Sequence, residues 1–459
     1  MFALGLLLGL AFPASGLAHA DNVVVVMTDD ETVPQVQFMP AVQKLLVRQG
    51  TTFDNNFVVF PFCCPSRATF FSGQYPHNNG VADLFPRQID NYRALDASET
   101  LPVWLNHAGY NTGHIGKYLN GYGKGPGPNG RHEVPRGWDR WVAPIDHTEY
   151  RYFRYSLNVD GGVETHGTAR DDYQTDVLAD HALDILDDFT ASPKPFFLSV
   201  APVSPHTERG QDCNSDANPR PAPRFRDFFA DETAPRPPSF NETDMTDKPL
   251  AFQQLPLVDA DCSDMIWRSQ LASLLSVDEM VKRIVATLRQ SGDLKRTLII
   301  FTSDNGLALG EHRFQDLKRL PYEESIRVPL IVRGPGFRKN VHRPEMVANT
   351  DLAPTILNKT GAVPGADHPL DGRPLLSSPP RQELLLEERA WEAIRTPANI
   401  YVRYRDVSGN LNGDEELYDL QTDPFELNSL QDDIPSQPLK AQLNSRLDQV
   451  MHCVGVECP

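Results

Sequence analysis

The chain has 459 residues, beyond the size at which one core stops growing, so one large domain and a smaller one are expected. Its formal charge of −18 argues against a nucleic-acid partner, which needs a basic face, and points to an exported protein with capacity for cations. Six cysteines fit an oxidising compartment. From the N-terminus, the apolar block Leu4 to Phe12 and the small residues Ala18 and Ala20 read as a secretory signal (residues 1–20) cleaved before Asp21. The block is too short to anchor the chain, and no later stretch is long enough to span a membrane.

Short apolar runs then alternate with longer amphipathic stretches, the pattern of an α/β protein with a mostly parallel sheet covered by helices. Strands are expected at Asn22–Thr28, Asn111–Gly116, Pro195–Ala201, Thr297–Ser303 and Val328–Arg333. Helices are expected over Val36–Arg48, Asp171–Phe189 and Met265–Gln290. The segment from Pro205 to Pro256 is dense in Pro, Asp and Asn and reads as an irregular excursion lining a cleft. Beyond residue 375 short strands, Glu383–Glu387 and Asn399–Tyr404, precede a helix near Leu439–Met451, so 21–374 is taken as the main domain and 375–459 as an α+β subdomain. Spacing suggests disulfides Cys453–Cys458 and Cys213–Cys262, which leaves Cys63 and Cys64.

Two polar pairs stand where chemistry is expected. Asp29-Asp30 follows the first strand and Asp304-Asn305 follows Thr297–Ser303, so both pairs belong at the carboxyl ends of strands, where open α/β sheets bind ligands. Three carboxylates and an amide oxygen form an all-oxygen set suited to Ca²⁺ or Mg²⁺. In Cys63-Cys64-Pro65-Ser66-Arg67, Pro65 suits the first turn of a helix, which puts the Cys63 thiol at the positive end of the helix dipole with a fixed cation one turn away.

That run resembles the Cys-x-Pro-Ser-Arg signature of the sulfatases, and Ala68-Thr69 through Ser72-Gly73-Gln74-Tyr75-Pro76-His77-Asn78 resembles its continuation. The resemblance implies an alkaline-phosphatase-like fold, a large mostly parallel sheet with a smaller C-terminal subdomain. It also implies that a maturation partner, the formylglycine-generating enzyme, oxidises Cys63 to formylglycine. The hydrated aldehyde offers one hydroxyl to attack sulfur and a second whose deprotonation expels sulfate, an exit that a plain serine lacks. By the same resemblance Ca²⁺ is the favoured ion, with Asp29, Asp30, Cys63, Asp304 and Asn305 around it. Arg67, Lys117 and Lys318 then hold the sulfate or the diol, and His206 protonates the leaving alcohol. His312, in Gly310-Glu311-His312, also fits a family pattern but ranks second, because a loop histidine is more often a satisfied surface residue.

Gly116-Lys117-Tyr118-Leu119-Asn120, Val134-Pro135-Arg136-Gly137-Trp138, Leu274-Leu275-Ser276-Val277-Asp278 and Arg333-Gly334-Pro335-Gly336 look like the N-acetylglucosamine-6-sulfatases and related extracellular enzymes. Glu416-Leu417-Tyr418-Asp419-Leu420 with Asp423-Pro424 and Glu426 resembles the family's C-terminal pattern. One departure is plain. Many arylsulfatases carry a histidine two residues after the lysine matched by Lys117, where this chain has Leu119 and then Asn120; His114 and His147 are substitutes only if folding brings them close. The expectation is a secreted or periplasmic enzyme, lysosomal in a eukaryote, acting on a sulfated saccharide or an aryl sulfate. A phosphonate or phosphate ester hydrolase, and a non-catalytic binder of sulfated glycans, are the competing readings.

Overall fold

The computed structural model describes residues 22–82, 91–124, 130–208 and 218–459. The signal segment and Cys213 lie outside these residues. The strands of the main sheet are β1 (Asn22–Thr28), β2 (Thr51–Phe57), β3 (Asn111–Gly116), β4 (Arg140–Pro144), β5 (Ser156–Val159), β6 (Gly162–Thr165), β7 (Phe196–Ala201), β8 (Thr297–Ser303), β9 (Leu330–Arg333) and β10 (Val341–Ala348). Their order is β10-β2-β9-β8-β1-β7-β3-β4-β5-β6. The five central strands, β8-β1-β7-β3-β4, run parallel, and β1 is paired on both sides, Val24 opposite Leu198 and Ile299.

The sequence of β1 explains its central place. Asn-Val-Val-Val-Val-Met-Thr is buried at every position, as a parallel strand covered on both faces must be. Alternate side chains serve opposite cores. Val23, Val25 and Met27 pack with Ala68, Leu101 and Trp104 on one face, and Val24 and Val26 pack with Leu178, Leu186, Val281 and Ile284 on the other. The second layer is built by the helices Gln174–Ala191 and Ala260–Gln290.

Three expectations are corrected. The run read as Val328–Arg333 forms a strand only from Leu330 and lies antiparallel to β8, because an apolar run reports burial on both faces and says nothing of direction. The helix expected over Val36–Arg48 breaks into a 3-10 turn Val33–Phe38, a short helix Pro40–Leu45 and a second turn Val47–Gln49. Pro40 starts the middle piece, since it has no N–H to continue the turn before it. The helix expected from Asp171 begins at Gln174, with Arg170–Asp172 in a 3-10 turn ahead of it.

The Pro205 to Pro256 excursion is irregular where described, apart from a turn at Pro223–Phe225 and one helical turn at Leu250–Gln253. At the C-terminus β11 (Leu384–Glu388), β12 (Trp391–Arg395), β13 (Asn399–Arg405) and β14 (Leu411–Asp419) form an antiparallel sheet covered by the helix Gln437–Val450. Its apolar face merges with the main body, for Leu385, Ile394, Tyr401 and Leu447 pack in one cluster with Phe57, Val59, Tyr75 and Ile326. Cys453 and Cys458 are bonded to each other, Cys262 is disulfide-bonded, and Cys63 and Cys64 are free and buried.

Candidate active site

The loops at the carboxyl ends of β1, β3, β7 and β8 converge on the helix Cys63–Ser72, which opens after β2. Cys63 is its first residue, and Pro65 stands within the first turn. All ten residues of this helix are buried, so the thiol is held by a rigid element rather than a loose loop. Gly73 ends the helix in a left-handed conformation.

Each strand end delivers one or two polar groups. Asp29 and Asp30 leave β1, and Asp30 adopts a left-handed backbone with φ 70°, a conformation that Asp tolerates better than most side chains. Its N–H donates to Asp304 Oδ1 at 3.2 Å, while Asn305 Nδ2 donates to Asp30 Oδ1 at 2.6 Å. The two acidic turns are thus tied together. After β3 the chain needs Gly116: its φ is +104°, and a Cβ there would meet the Ala201 carbonyl oxygen at 2.0 Å. That close approach lets the Lys117 N–H donate to Ala201 O at 2.8 Å and the side chain turn inward.

Carboxylates and cations interleave throughout the site. Lys117 Nζ lies 2.5 Å from Asp29 Oδ2, and Arg67 Nε lies 2.7 Å from Asp304 Oδ2 with its Nη2 3.5 Å from Asp29 Oδ2. Arg67 Nη1 also donates to the Lys117 carbonyl at 2.7 Å. Lys318 Nζ lies 2.7 Å from Asp30 Oδ1 and 3.5 Å from Cys63 Sγ. His206 Nε2 faces Asp30 Oδ2 at 3.6 Å, and its Nδ1 is 2.6 Å from the Thr207 carbonyl. All the residues named from sequence for this centre therefore meet in one place.

Burial opposes charge here, and the neighbours decide the outcome. Burial pushes the Asp29 carboxyl up, but Lys117, His206 and Arg67 hold it below the ordinary range. The same contest leaves Asp30 low through Lys318 and His206. Lys117 and Lys318, which burial alone would discharge, are held high chiefly by Asp29 and Asp30 respectively. His206 is shifted down by burial in spite of Asp30. The neighbouring Cys64 thiol is pushed up to about 12 by burial, which leaves it a neutral packing group at ordinary pH.

The donor set fits a hard divalent cation. Asp29 Oδ1 and Asn305 Oδ1 are buried with no hydrogen-bond partner, and ligand atoms of Asp29, Cys63 and Asp304, as of Asp29, Asp30 and His206, lie within 4.8 Å of one another. Unpartnered buried oxygens are costly unless something else satisfies them, and oxygen donors suit calcium or magnesium.

Beside the site lies a cleft of about 630 Å³, bordered by Phe62, Asn120, Glu149 and Tyr150 among others. Tyr150 was not singled out from sequence, since nothing in the spacing after β4 marks it. Its ring lies 4.5 Å from Lys117 Nζ and packs against His206 at a tilt of 31° with centroids 4.4 Å apart, and its hydroxyl accepts from Asn120 Nδ2 at 2.8 Å. Asn120, the departure noted above, thus anchors an aromatic wall. Of the substitute histidines, His114 is fully buried with Nδ1 and Nε2 3.1 Å from Ser199 Oγ and Gly116 O, and burial brings it down to about 3. His147 sits exposed on the cleft wall. His312 lies outside the constellation, 2.6 Å from Glu242 and stacked on Tyr322.

Residues 21–362 match the family model for Sulfatase. The chain belongs to the sulfatase family. It is 35% identical to human N-acetylglucosamine-6-sulfatase over 372 residues, covering 79% of this chain and 64% of that protein. It is 31% identical to the arylsulfatase of Volvox carteri, covering 98% of this chain and 78% of that one. Among solved structures, one described as complexed with its substrate D-glucosamine-2-N,6-O-disulfate superposes with a TM-score of 0.75 over 94% of this chain and 97% of its own, at 23% identity, a likeness of fold. The large sheet with its smaller C-terminal antiparallel sheet is the sulfatase architecture, as the sequence resemblance implied.

Proposed function

We propose that this sulfatase is an exported, calcium-dependent hydrolase of sulfate esters on sugars of the N-acetylglucosamine-6-sulfate type, with aryl sulfates as simpler substrates. The observation that carries the reading is the placement of Cys63 Sγ, 3.5 Å from Lys318 Nζ, beside the carboxylates that leave Asp29 Oδ1 and Asn305 Oδ1 unpartnered. Export rests on the apolar block Leu4 to Phe12; no helix among the described residues is long and apolar enough to cross a membrane.

In this reading Asp29, Asp30, Asp304 and Asn305 hold the cation, which when bound supplies charge neutralisation at the transferring sulfuryl group. Cys63 after oxidation supplies the attacking hydroxyl. Lys117 and Lys318 point their ammonium groups at the sulfate oxygens, where fixed cations in a buried site stabilise developing charge without reorganisation. Arg67 holds Asp304 and Asp29 in register from behind. His206 donates Nδ1–H to the Thr207 carbonyl, so its Nε2 carries a proton only in the cationic form. As acid for the leaving oxygen it therefore works protonated, a state that burial disfavours overall and that Asp30 supports only in part.

The test is sulfate release from N-acetylglucosamine-6-sulfate and from 4-nitrophenyl sulfate by protein matured with its formylglycine-generating enzyme, alongside Cys63→Ala. Release from the sugar that the substitution abolishes is the expected result. Release from the aryl ester alone would remove the sugar assignment, and silence on both would overturn the reading.

A further inference from the structure

The structure assigns the cleft beside Tyr150 a second anion seat, formed by Arg151 and Arg154, for an acidic substituent on the same sugar chain that carries the ester at Cys63. This inference rests on the sulfatase reading above and narrows it to a multiply charged, acidic oligosaccharide.

The first observation is a pair of arginines without carboxylate partners in a cleft that also carries Asp146, Glu149 and Glu208, on a protein of charge −18. Four basic side chains line the cleft: Lys124, Arg151, Arg154 and Arg220. Two are matched within the wall, Lys124 by Asp146 at 3.0 Å and Arg220 by Glu208 at 2.7 Å. Arg151 and Arg154 have no carboxylate within ion-pair distance among the described residues. The only hydrogen bond found there for the Arg151 guanidinium is a long one to the Arg154 carbonyl at 3.4 Å. Both side chains are exposed. A guanidinium fork accepts a carboxylate or a sulfate through two parallel N–H bonds, and these two are free to do so.

The second observation is the backbone. Arg154 has φ 57°, a left-handed conformation uncommon for a long side chain. It is held there by its N–H donating to Gly167 O at 2.8 Å and by the fully buried rings of Tyr152 and Tyr155 on either side. A strained residue fixed between two buried anchors presents its side chain to the cleft by construction, the setting in which strain accompanies binding.

The third observation is reach. Tyr150 lies over Lys117, Arg151 is the next residue, and four residues span at most about 14 Å of extended chain. The second seat therefore lies close to the first, and Phe62 and Tyr150 provide flat apolar faces on the cleft wall for the sugar between. A small aryl sulfate carries one charge and cannot use both seats.

The test is calorimetric binding to Cys63→Ala protein, which is independent of turnover. Three tetrasaccharides serve as probes, each bearing glucosamine 6-sulfate: one with uronic acid carboxylates, one with those carboxyls reduced to alcohols, and one carboxyl-reduced but carrying a second sulfate on the neighbouring sugar. At low salt one or both acidic probes should bind about tenfold tighter than the neutral-flanked one, an advantage that shrinks with added salt. Preference for the first alone assigns a carboxylate, and for the third alone a sulfate. Adding Arg151→Gln and Arg154→Asn, the latter chosen because Asn tolerates the left-handed backbone, should collapse the ratio toward one. Arg151→Gln alone, away from the strained position, should reduce it severalfold. Equal binding of all three probes, or a preference that survives the double substitution, overturns the inference. Failure of the parent reading would show elsewhere, as absent sulfate release from 4-nitrophenyl sulfate by matured protein.

Discussion

Arg67→Met offers a direct measure of how the site is held together. The guanidinium is 1% exposed and touches two fully buried carboxylates, Asp304 at 2.7 Å and Asp29 at 3.5 Å. Methionine keeps much of the volume and removes the charge, so two buried anions lose a shared partner while Lys117 remains on Asp29. Breaking a buried pair by removing one partner costs about 3–5 kcal/mol, mostly because the remaining charge is left uncompensated. At roughly 2 °C per kcal/mol for a chain of this size, the melting temperature should fall by about 6–10 °C in metal-free buffer. Adding Asp304→Asn to Arg67→Met should recover part of that loss, since removing both partners leaves less buried charge unpaired. Millimolar calcium should also narrow the gap. The assay is thermal melting with and without calcium for wild type, both single variants and the double. A shift under about 2 °C for Arg67→Met, or additive losses in the double, would refute the claim that Arg67 is the counter-charge of this site.

Calcium should raise the melting temperature of chelator-treated protein, by about 2.7 kcal/mol of stabilisation at a hundredfold excess over Kd, and Asp29→Asn should weaken that response. An unchanged melting curve would remove the metal from the site. Gly116→Ala should cost about 3 kcal/mol or more, or prevent folding, because the new Cβ would meet a backbone oxygen at 2.0 Å at a positive φ; a soluble, fully active variant would contradict the packing. Glu416 is fully buried and accepts from Tyr322, Tyr404 and Tyr418 hydroxyls at 2.9, 2.7 and 3.1 Å. Burial brings its carboxyl from 4.5 up to about 7. The folded state therefore binds more protons than the unfolded one between those values, and stability present below pH 4.5 is lost as pH rises to about 7. The loss is on the order of 3 kcal/mol, and Glu416→Gln should flatten that slope in melting curves taken across the range.

The site was legible because its residues obey a positional rule that a sequence displays. Asp29, Lys117, His206 and Asp304 each stand one to five residues past an apolar strand, and the end of a parallel strand is where a sheet meets its ligand. Tyr150 obeys no such rule. It enters from a loop after β4 and is fixed by Asn120 and His206, contacts made only by folding. The direction of β9 was equally hidden, since Leu-Ile-Val-Arg reads the same either way. The break in the first helix was visible in Pro40, which a strict reading of proline's missing N–H would have used. The hairpin of β5 and the exposed edge strand β6 also carried a signal, Asp160-Gly161 with φ of 49° and 92° between two short runs, the backbone of a tight primed turn.

The apolar cluster under the C-terminal sheet bears on how damage to this protein would present itself. Phe57, Val59 and Tyr75, flanking the helix that carries Cys63, share that cluster with Leu385, Tyr401 and Leu447. A stop codon or a protease cut ahead of Leu384 would remove none of the residues that converge on Cys63 and would spare the whole ten-stranded sheet. It would nonetheless strip the floor from beneath the helix that carries Cys63 and expose aromatic surface to water. Lesions in the last eighty or so residues should therefore look, in an assay, like lesions of the catalytic centre, and a fragment ending near residue 375 should be recovered as aggregate rather than as a smaller enzyme.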